Sequence, residues 1–413
     1  MGGSVFVTGA RSRVFQNHPF VQRLEQSRGS SLAVVALALA VMGCVGPSGA
    51  NGSGSGFAGG DGTARGGDVA AGGQDAASSA DGGQDAAAAA DSGQAGADAT
   101  KSDSGQPPPG GAHTVASCPD GAFPEPNPAN PKASLASITA GFQAAQAIAF
   151  VEAALELRYP VGKTLLAEGK KVPMGGGKNC VDAFFQASKA NSPSAALGQA
   201  STLVHECGHL YDMGQSGFSG HMYFLNEVSK FSCAGLSYQG SNKGFARSAI
   251  KGDGYDATWT PCASFGMSGC DGYAPIYLNG DPKDAKFESG DQGYDMLLEE
   301  VAQYVNSLAV DYAFADQSQF STSAEDGILT FLWYMTRYIH LARTQHPAVY
   351  KYLSENQCWR HATLSIWGRA WFYLDKTKGN TKLNLKGAML RQLVDHPDLL
   401  DEIQRLRQID GCL

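Results

Sequence analysis

The pattern of apolar and polar positions divides the 413-residue chain into three parts. An uninterrupted apolar run extends from Leu32 to Met42, and a stretch without apolar periodicity follows from Val45 to Ser117. From Cys118 to Leu413, apolar side chains recur at the three- and four-residue spacings of amphipathic helices. We therefore predict one folded part, residues 118–413, that is long enough for a sizeable core.

Within the folded part, helical spacing dominates and strand signals are few. Short apolar runs at Lys171–Met174, Met222–Leu225 and Tyr273–Leu278 are the strand candidates, so any sheet should be small. The pattern predicts an α+β fold that is mainly α. The predicted helices are Ala133–Leu157, Ser192–Met213, Gly293–Phe314, Glu325–Thr344, Ala348–Glu355, Ala362–Leu374 and Leu393–Gln408.

The predicted helix at Ser192–Met213 contains the sequence His-Glu-x-x-His. Residues four apart lie on one face of a helix, so His205 and His209 can direct their imidazoles to one metal ion, with Glu206 beside them. Two neutral imidazoles suit zinc, and a catalytic zinc site needs a third protein ligand and an open position. The alternative is an amphipathic helix whose two histidines are only solvated or hydrogen-bonded.

This segment resembles the active-site helix of the zincin metallopeptidases. The resemblance implies a zincin-like domain in which a small sheet lies over the active-site helix, and we expect that sheet N-terminal to Ser192. Metzincins place glycine and histidine where this chain has Asp212 and Gln215, so that class is excluded. Gluzincins instead take a glutamate from a separate downstream helix.

Three glutamates are candidates for that third ligand. The segment 298–304 resembles the second zinc-binding helix of lethal-factor-like gluzincins, and alignment on the small Ala302 makes Glu299 the ligand. Gln303 then stands where those proteins have a second acid. Glutamine can accept a hydrogen bond from a ligand imidazole but carries no charge, so the sequence leaves open how the ligands are held in place. Glu300 is an alternative, as is Glu227, whose preceding Asn226 resembles the Asn-Glu pair of thermolysin-like families.

The resemblance implies a zinc-dependent peptidase acting on a protein or peptide. Glu206 would accept a proton from the zinc-activated water and later deliver it to the leaving amine. Tyr294 and Tyr304 are candidate donors to the developing oxyanion, and Asp212 is a candidate for orienting a ligand imidazole. The alternatives are a zincin-fold surface binding or scaffold lipoprotein that no longer cleaves anything, and a structural envelope protein whose histidines are incidental.

The first 44 residues resemble a bacterial lipoprotein signal. Arg11, Arg13, Arg23 and Arg28 precede the apolar run, which is too short to span a bilayer comfortably. The run ends at Cys44 in a sequence similar to a lipobox, so Cys44 is the expected site of lipidation. These features predict export to the cell envelope, with a lipid anchor at the outer membrane, and plain secretion is the alternative.

Residues 45–117 are rich in Gly, Ala, Ser, Asp and Gln, which predicts a disordered tether. Beyond it lie eight cysteines, an even number that predicts several disulfides in an exported chain. Cys262 and Cys270 are the expected local pair, Cys412 is expected to tie down the C-terminal segment, and Cys207 is expected to be buried or disulfide-bonded. The net charge of −8 without a basic patch argues against a nucleic-acid partner.

Overall fold

The computed structural model describes residues 113–216, 220–235, 244–255, 271–284, 287, 290–318 and 321–413. Apart from 113–117, all of these residues belong to the folded part predicted from the apolar pattern. The predicted signal at 1–44, the tether before residue 113 and the expected Cys262–Cys270 pair lie outside the described residues.

The described chain is mainly helical, as the apolar pattern predicts. A two-stranded sheet, β1 (Gly220–Asn226) and β2 (Ser229–Ala234), follows the sixth α-helix. Short 3₁₀ helices occur at Ala144–Gln146, Gly175–Gly177, Ala187–Lys189 and Arg247–Ile250. In chain order the α-helices are α1 (Ala136–Ala140), α2 (Ala147–Arg158), α3 (Pro160–Gly169), α4 (Cys180–Phe184), α5 (Pro193–Leu197), α6 (Ala200–Gln215), α7 (Ala274–Tyr277), α8 (Tyr294–Ala313), α9 (Ala324–Gln345), α10 (Pro347–Glu355), α11 (Gln357–Thr377), α12 (Gly387–Val394) and α13 (Pro397–Asp410).

The predicted long helices exist, but three of them are broken where glycine or proline interrupts the pattern. Gly141 caps α1, and Gly198 ends α5 just before the motif helix α6. Pro397 begins α13 as its first helical residue, which separates α13 from α12. Proline has no N–H to continue a helix but fits its first turn, so the sequence itself sets this break.

The small sheet is an antiparallel hairpin, and it confirms the strand predicted at Met222–Leu225. Its expected position was wrong, because the described residues before Ser192 contain no strand and the hairpin follows α6. Tyr273–Leu278 was also wrong as a strand. Pro275 lies in the first turn of α7 there, and the Leu278 N–H donates to the Ala274 carbonyl in a helical bond.

The strand predicted at Lys171–Met174 was wrong for a related reason. The Lys171 N–H donates to the Glu168 carbonyl, and the Val172 N–H donates to the Gly169 carbonyl. These bonds continue the tightening turn at the end of α3, so the two donors are not available to a strand ladder.

Helix α8 is the centre of the core. Sixteen of its 20 residues are buried, and it packs against α6, α9, α11 and β1. A helix that is buried almost all round is typical of a protein interior and not of an amphipathic surface. Because α6 lies against it along most of its length, the polar side chains of α8 on that side face the histidine motif.

Three disulfides cross-link the described part. They join Cys118 to Cys412, Cys180 to Cys207 and Cys233 to Cys358. This confirms the expected disulfide-rich character, the pairing of Cys412 and the disulfide-bonded state of Cys207. Such cross-links are typical of exported proteins. Among the described residues, none of the helices combines the length and apolar character that crossing a bilayer requires.

Candidate metal centre

The motif helix α6 and the core helix α8 approach each other closely at a glycine. A Cβ added to Gly208 would lie 2.0 Å from Gln303 Oε1, which is closer than real atoms come. Ala302, the small residue of α8 on which the sequence was aligned, is buried as well. Gly208 therefore allows both histidines to reach the side chains of α8.

His205, His209 and Glu300 form the candidate site. The Nε2 atoms of the two imidazoles lie 3.1 Å apart, and Glu300 Oε2 lies 3.7 Å from that of His205 and 3.6 Å from that of His209. The three ligand atoms lie within 4.8 Å of one another, and this buried group could hold a metal ion. His205 Nδ1 is 3.0 Å from Ser307 Oγ, which leaves its Nε2 directed toward the group.

Glu300 Oε2 provides a test of whether a cation fits. It is buried, and among the described residues it has no hydrogen-bond partner. A buried carboxylate oxygen without a partner costs free energy, and a coordinated cation would remove that cost. An acidic oxygen and two imidazole nitrogens also form a donor set that divalent metals accept, so the residues present fit a metal ion.

Glu299, the ligand favoured by the sequence, lies on the far side of His209. Its Oε1 is 2.9 Å from His209 Nδ1, and its Oε2 is 3.0 Å from Nε2 of His221, a residue of β1. It is therefore placed to orient the imidazole and not beside the Nε2 atoms. Glu227 is exposed in the turn between β1 and β2, where it accepts a hydrogen bond from Thr164, away from the histidines.

Asp212 is fully buried but does not contact a ligand imidazole. Its Oδ1 accepts the Phe224 N–H at 3.1 Å, and its Oδ2 accepts Gln303 Nε2 at 3.1 Å. These bonds tie α6 to β1 and to α8. Burial and the nearby charge of Glu299 raise the pKa of Asp212 well above its usual range.

The two candidate tyrosines differ in position. The Tyr294 hydroxyl is hydrogen-bonded to Thr363 Oγ1 at 2.8 Å inside the core, and not to a residue of the candidate site. The Tyr304 ring packs edge-on against His205, with centroids 4.8 Å apart, and its hydroxyl lies 3.5 Å from that of Tyr277. Tyr304 is thus next to the site, while Tyr294 is not.

Charges converge on the two histidines. Burial favours the neutral imidazole, but the carboxylates of Glu300 and Glu299 outweigh it and hold the pKa of His209 well above its usual value. Burial alone would raise the pKa of Glu299, yet hydrogen bonds from His209 and His221 bring it down to about 2. Glu300 likewise has a lowered pKa despite its burial. The site thus favours ionised carboxylates and attracts positive charge.

Glu206 follows His205 on α6 and is partly buried. Burial raises its pKa, and the neighbouring imidazoles of His205 and His209 counteract part of that rise. A carboxyl group with a raised pKa is better suited to exchange a proton near neutral pH than an ordinary surface glutamate.

Sequence reasoning missed two partners of the site, His221 and Ser307. Ser307 lies seven residues after Glu300 and four after Gln303, so its helical spacing was a usable signal. His221 is distant in sequence from α8 and reaches Glu299 only because the hairpin folds back over the helix pair. No local pattern around His221 indicates this.

A scan against models of known protein families finds no match, and comparisons with curated proteins and with solved structures find none either.

Proposed function

We propose that the protein is a zinc-dependent peptide hydrolase whose metal ligands are His205, His209 and Glu300. The observation that carries this proposal is the convergence of Glu300 Oε2 and the two Nε2 atoms on the His-Glu-x-x-His helix. Ligand atoms of a tetrahedral zinc ion lie roughly 3.3 Å from one another at the usual bond lengths. The separations of 3.1, 3.6 and 3.7 Å are close to that value.

Within this proposal Glu299 supports a ligand instead of serving as one. A carboxylate behind an imidazole fixes the ring orientation and raises the basicity of the nitrogen that faces the metal. Glu299 occupies that place at His209, and Ser307 occupies the matching place at His205. The gluzincin resemblance is kept, with the ligand shifted by one residue along α8.

The residues around the group suit hydrolysis. When bound, zinc supplies the positive charge that acidifies a water molecule and polarises a scissile carbonyl. Glu206 accepts the proton from that water and passes it to the leaving amine, a role for which its raised pKa is favourable. Tyr304, which packs against His205, is the better placed of the two tyrosines to donate toward the developing oxyanion.

The proposed setting is outside the cytoplasm. Three disulfides in the described part support export, and the lipobox-like sequence at Cys44 supports a lipid anchor in the bacterial cell envelope. A protein or peptide in that compartment is the proposed substrate. The tether at 45–117 would then hold the catalytic part away from the membrane surface.

Glu206→Gln separates this proposal from a metal-binding scaffold. The full mature chain should contain one zinc ion by elemental analysis and should cleave an unstructured peptide mixture in a chelator-sensitive manner. The variant should keep the zinc and lose about 10²–10⁴-fold in cleavage rate, because only the proton transfer is removed.

The matched control is Glu227→Gln, the same change at an exposed glutamate outside the site. It should retain both zinc and activity. Zinc without any cleavage in the wild type would support the scaffold instead, and folded protein without stoichiometric metal would refute the metal site.

A further inference from the structure

A series of buried, hydrogen-bonded polar side chains connects α11 to the Nδ1 atom of His209. Arg369 Nη1 donates to Asn306 Oδ1 at 2.8 Å, and Asn306 Nδ2 donates to Gln303 Oε1 at 2.9 Å. Gln303 Nε2 in turn donates to Glu299 Oε1 at 3.0 Å, the same oxygen that lies 2.9 Å from His209 Nδ1. Arg369, Asn306, Gln303 and Glu299 are all fully or almost fully buried, so water does not replace these bonds.

These hydrogen bonds all run in one direction from donor to acceptor, and Arg369 sets that direction. A guanidinium group only donates, and Arg369 is held by Glu125, whose Oε2 accepts its Nε at 3.0 Å. The Tyr159 hydroxyl accepts from Arg369 Nη2 at 2.6 Å and donates to Asn306 Oδ1 at 2.8 Å. Asn306 Oδ1 therefore receives two hydrogen bonds, which fixes the amide and leaves its Nδ2 facing Gln303.

The next amide is fixed in the same way. Because Asn306 donates to Gln303 Oε1, the NH₂ group of Gln303 must face the other way. Its two hydrogens then have two acceptors, Glu299 Oε1 at 3.0 Å and Asp212 Oδ2 at 3.1 Å. A glutamate at position 303 would instead have placed a third carboxylate against these two. This accounts for glutamine at the position where the resembling proteins carry an acid.

We infer that Arg369, Asn306 and Gln303 form a directional relay of positioning residues that holds Glu299 as an acceptor and thereby keeps the proton of His209 on Nδ1. Once a metal ion displaces any proton from it, the Nε2 atom of His209 faces His205 and Glu300 with its lone pair. The relay rests on the proposed metal site for its purpose, but its geometry is a property of the protein alone. None of the three residues touches the group that would hold the metal.

Asn306→Asp is the sharpest test, since it reverses the relay and leaves Gln303 in place. One aspartate oxygen still accepts from Arg369 and Tyr159, while the other faces Gln303 as an acceptor and turns its amide around. Gln303 Oε1 would then meet Glu299 instead of Nε2. We expect zinc affinity to fall about 10–100-fold, the usual effect of losing a supporting partner of a ligand. Affinity is measured by chelator competition with Zn²⁺ alone on the full mature chain.

A spectroscopic readout tests the relay without relying on metal binding. In protein with ¹⁵N-labelled histidine, the Nδ1–H of His209 should give a correlation protected from water exchange, assigned by its loss in His209→Asn. Asn306→Asp and Gln303→Met should both shift or abolish it. If the wild type binds no zinc, the proposed function fails, while this signal in metal-free protein still decides the relay.

Thr363→Val is the control, because it removes a buried hydrogen bond between α8 and α11 that does not lead to His209. It should lower stability without changing zinc affinity or the Nδ1–H signal. Should Asn306→Asp fail to fold, Gln303→Met carries the same expectation. An unchanged Nδ1–H signal and zinc affinity within twofold of wild type in a folded variant would overturn the relay.

Discussion

At the residue scale, Gly208 shows that an unspecified position of the motif can be constrained in this chain. Its missing side chain leaves room for Gln303 between the two helices. Sequence reasoning made His205, Glu206 and His209 candidates, because the helical period places the two histidines on one face. It gave no role to Gly208, since nothing local shows which residue of α8 will lie against it.

Gly208→Ala should therefore damage both stability and the site. The added Cβ meets Gln303 Oε1 at 2.0 Å, so the helices must separate or the amide must turn. We expect a loss of about 1–3 kcal/mol in the free energy of unfolding, measured by urea denaturation, together with weaker zinc binding.

Gly198→Ala is the matched control for this change. Its added Cβ would have its nearest neighbours at 3.4 and 3.7 Å, and its φ of −63° suits alanine. Stability should stay the same or rise by up to about 1 kcal/mol. Equal stability of both alanine variants would contradict the close approach at Gly208.

At the element scale, the helix pair α6 and α8 was predictable, but the rotation of α8 was not. The apolar period correctly predicted a helix over 293–314, and the structure has it at Tyr294–Ala313. Neighbouring helical residues point about 100° apart, so the choice between Glu299 and Glu300 depends on how α8 is turned against α6. The contact of Gly208 with Gln303 sets this rotation of α8, and it is a tertiary contact.

The small hairpin was the less predictable element. Six of the seven residues of β1 are buried, so it lacks the alternation of a half-exposed strand. Its partner β2 alternates between more and less exposed residues, but it is short and polar and gave no strand signal. β1 lies against both α6 and α8, a packing arrangement that no local pattern indicates.

The two adjacent glutamates should separate in a metal-binding experiment. Glu300→Gln replaces the carboxylate beside both Nε2 atoms by a neutral amide, so zinc affinity should fall by more than about 100-fold. Glu299→Gln removes only the negative charge behind His209, for which a loss of about 10–100-fold is expected. Zinc dissociation constants from chelator competition give the comparison, and a larger loss for Glu299→Gln would return the ligand role to that residue.

At the scale of the whole molecule, the disulfides connect distant parts of the sequence. Cys118 and Cys412 are 294 residues apart, whereas Cys180 and Cys207 are 27 apart. Sequence indicated that several disulfides would form, and it indicated Cys412 as a partner. The pairing itself was beyond prediction, since it depends on which helices lie side by side.

Removing the two cross-links should have different consequences. Replacing Cys118 and Cys412 by serine opens the longer loop and should cost about 3–5 kcal/mol of unfolding free energy while leaving zinc affinity unchanged. Replacing Cys180 and Cys207 opens a shorter loop and should cost less, about 2–4 kcal/mol. However, it releases α4 from the motif helix and should weaken zinc binding. Denaturation curves and chelator competition on both double variants check this, and equal zinc affinities would contradict it.

The Cys118–Cys412 bond also determines how the protein would respond to mechanical load. If the segment before Cys118 is pulled while the end of the chain near Cys412 is held, the force passes through one covalent bridge between the two residues. The helices between them carry none of it. A single-molecule stretching experiment across these two ends should therefore lengthen only the flanking segments, and the candidate metal centre should remain intact until the bond is reduced.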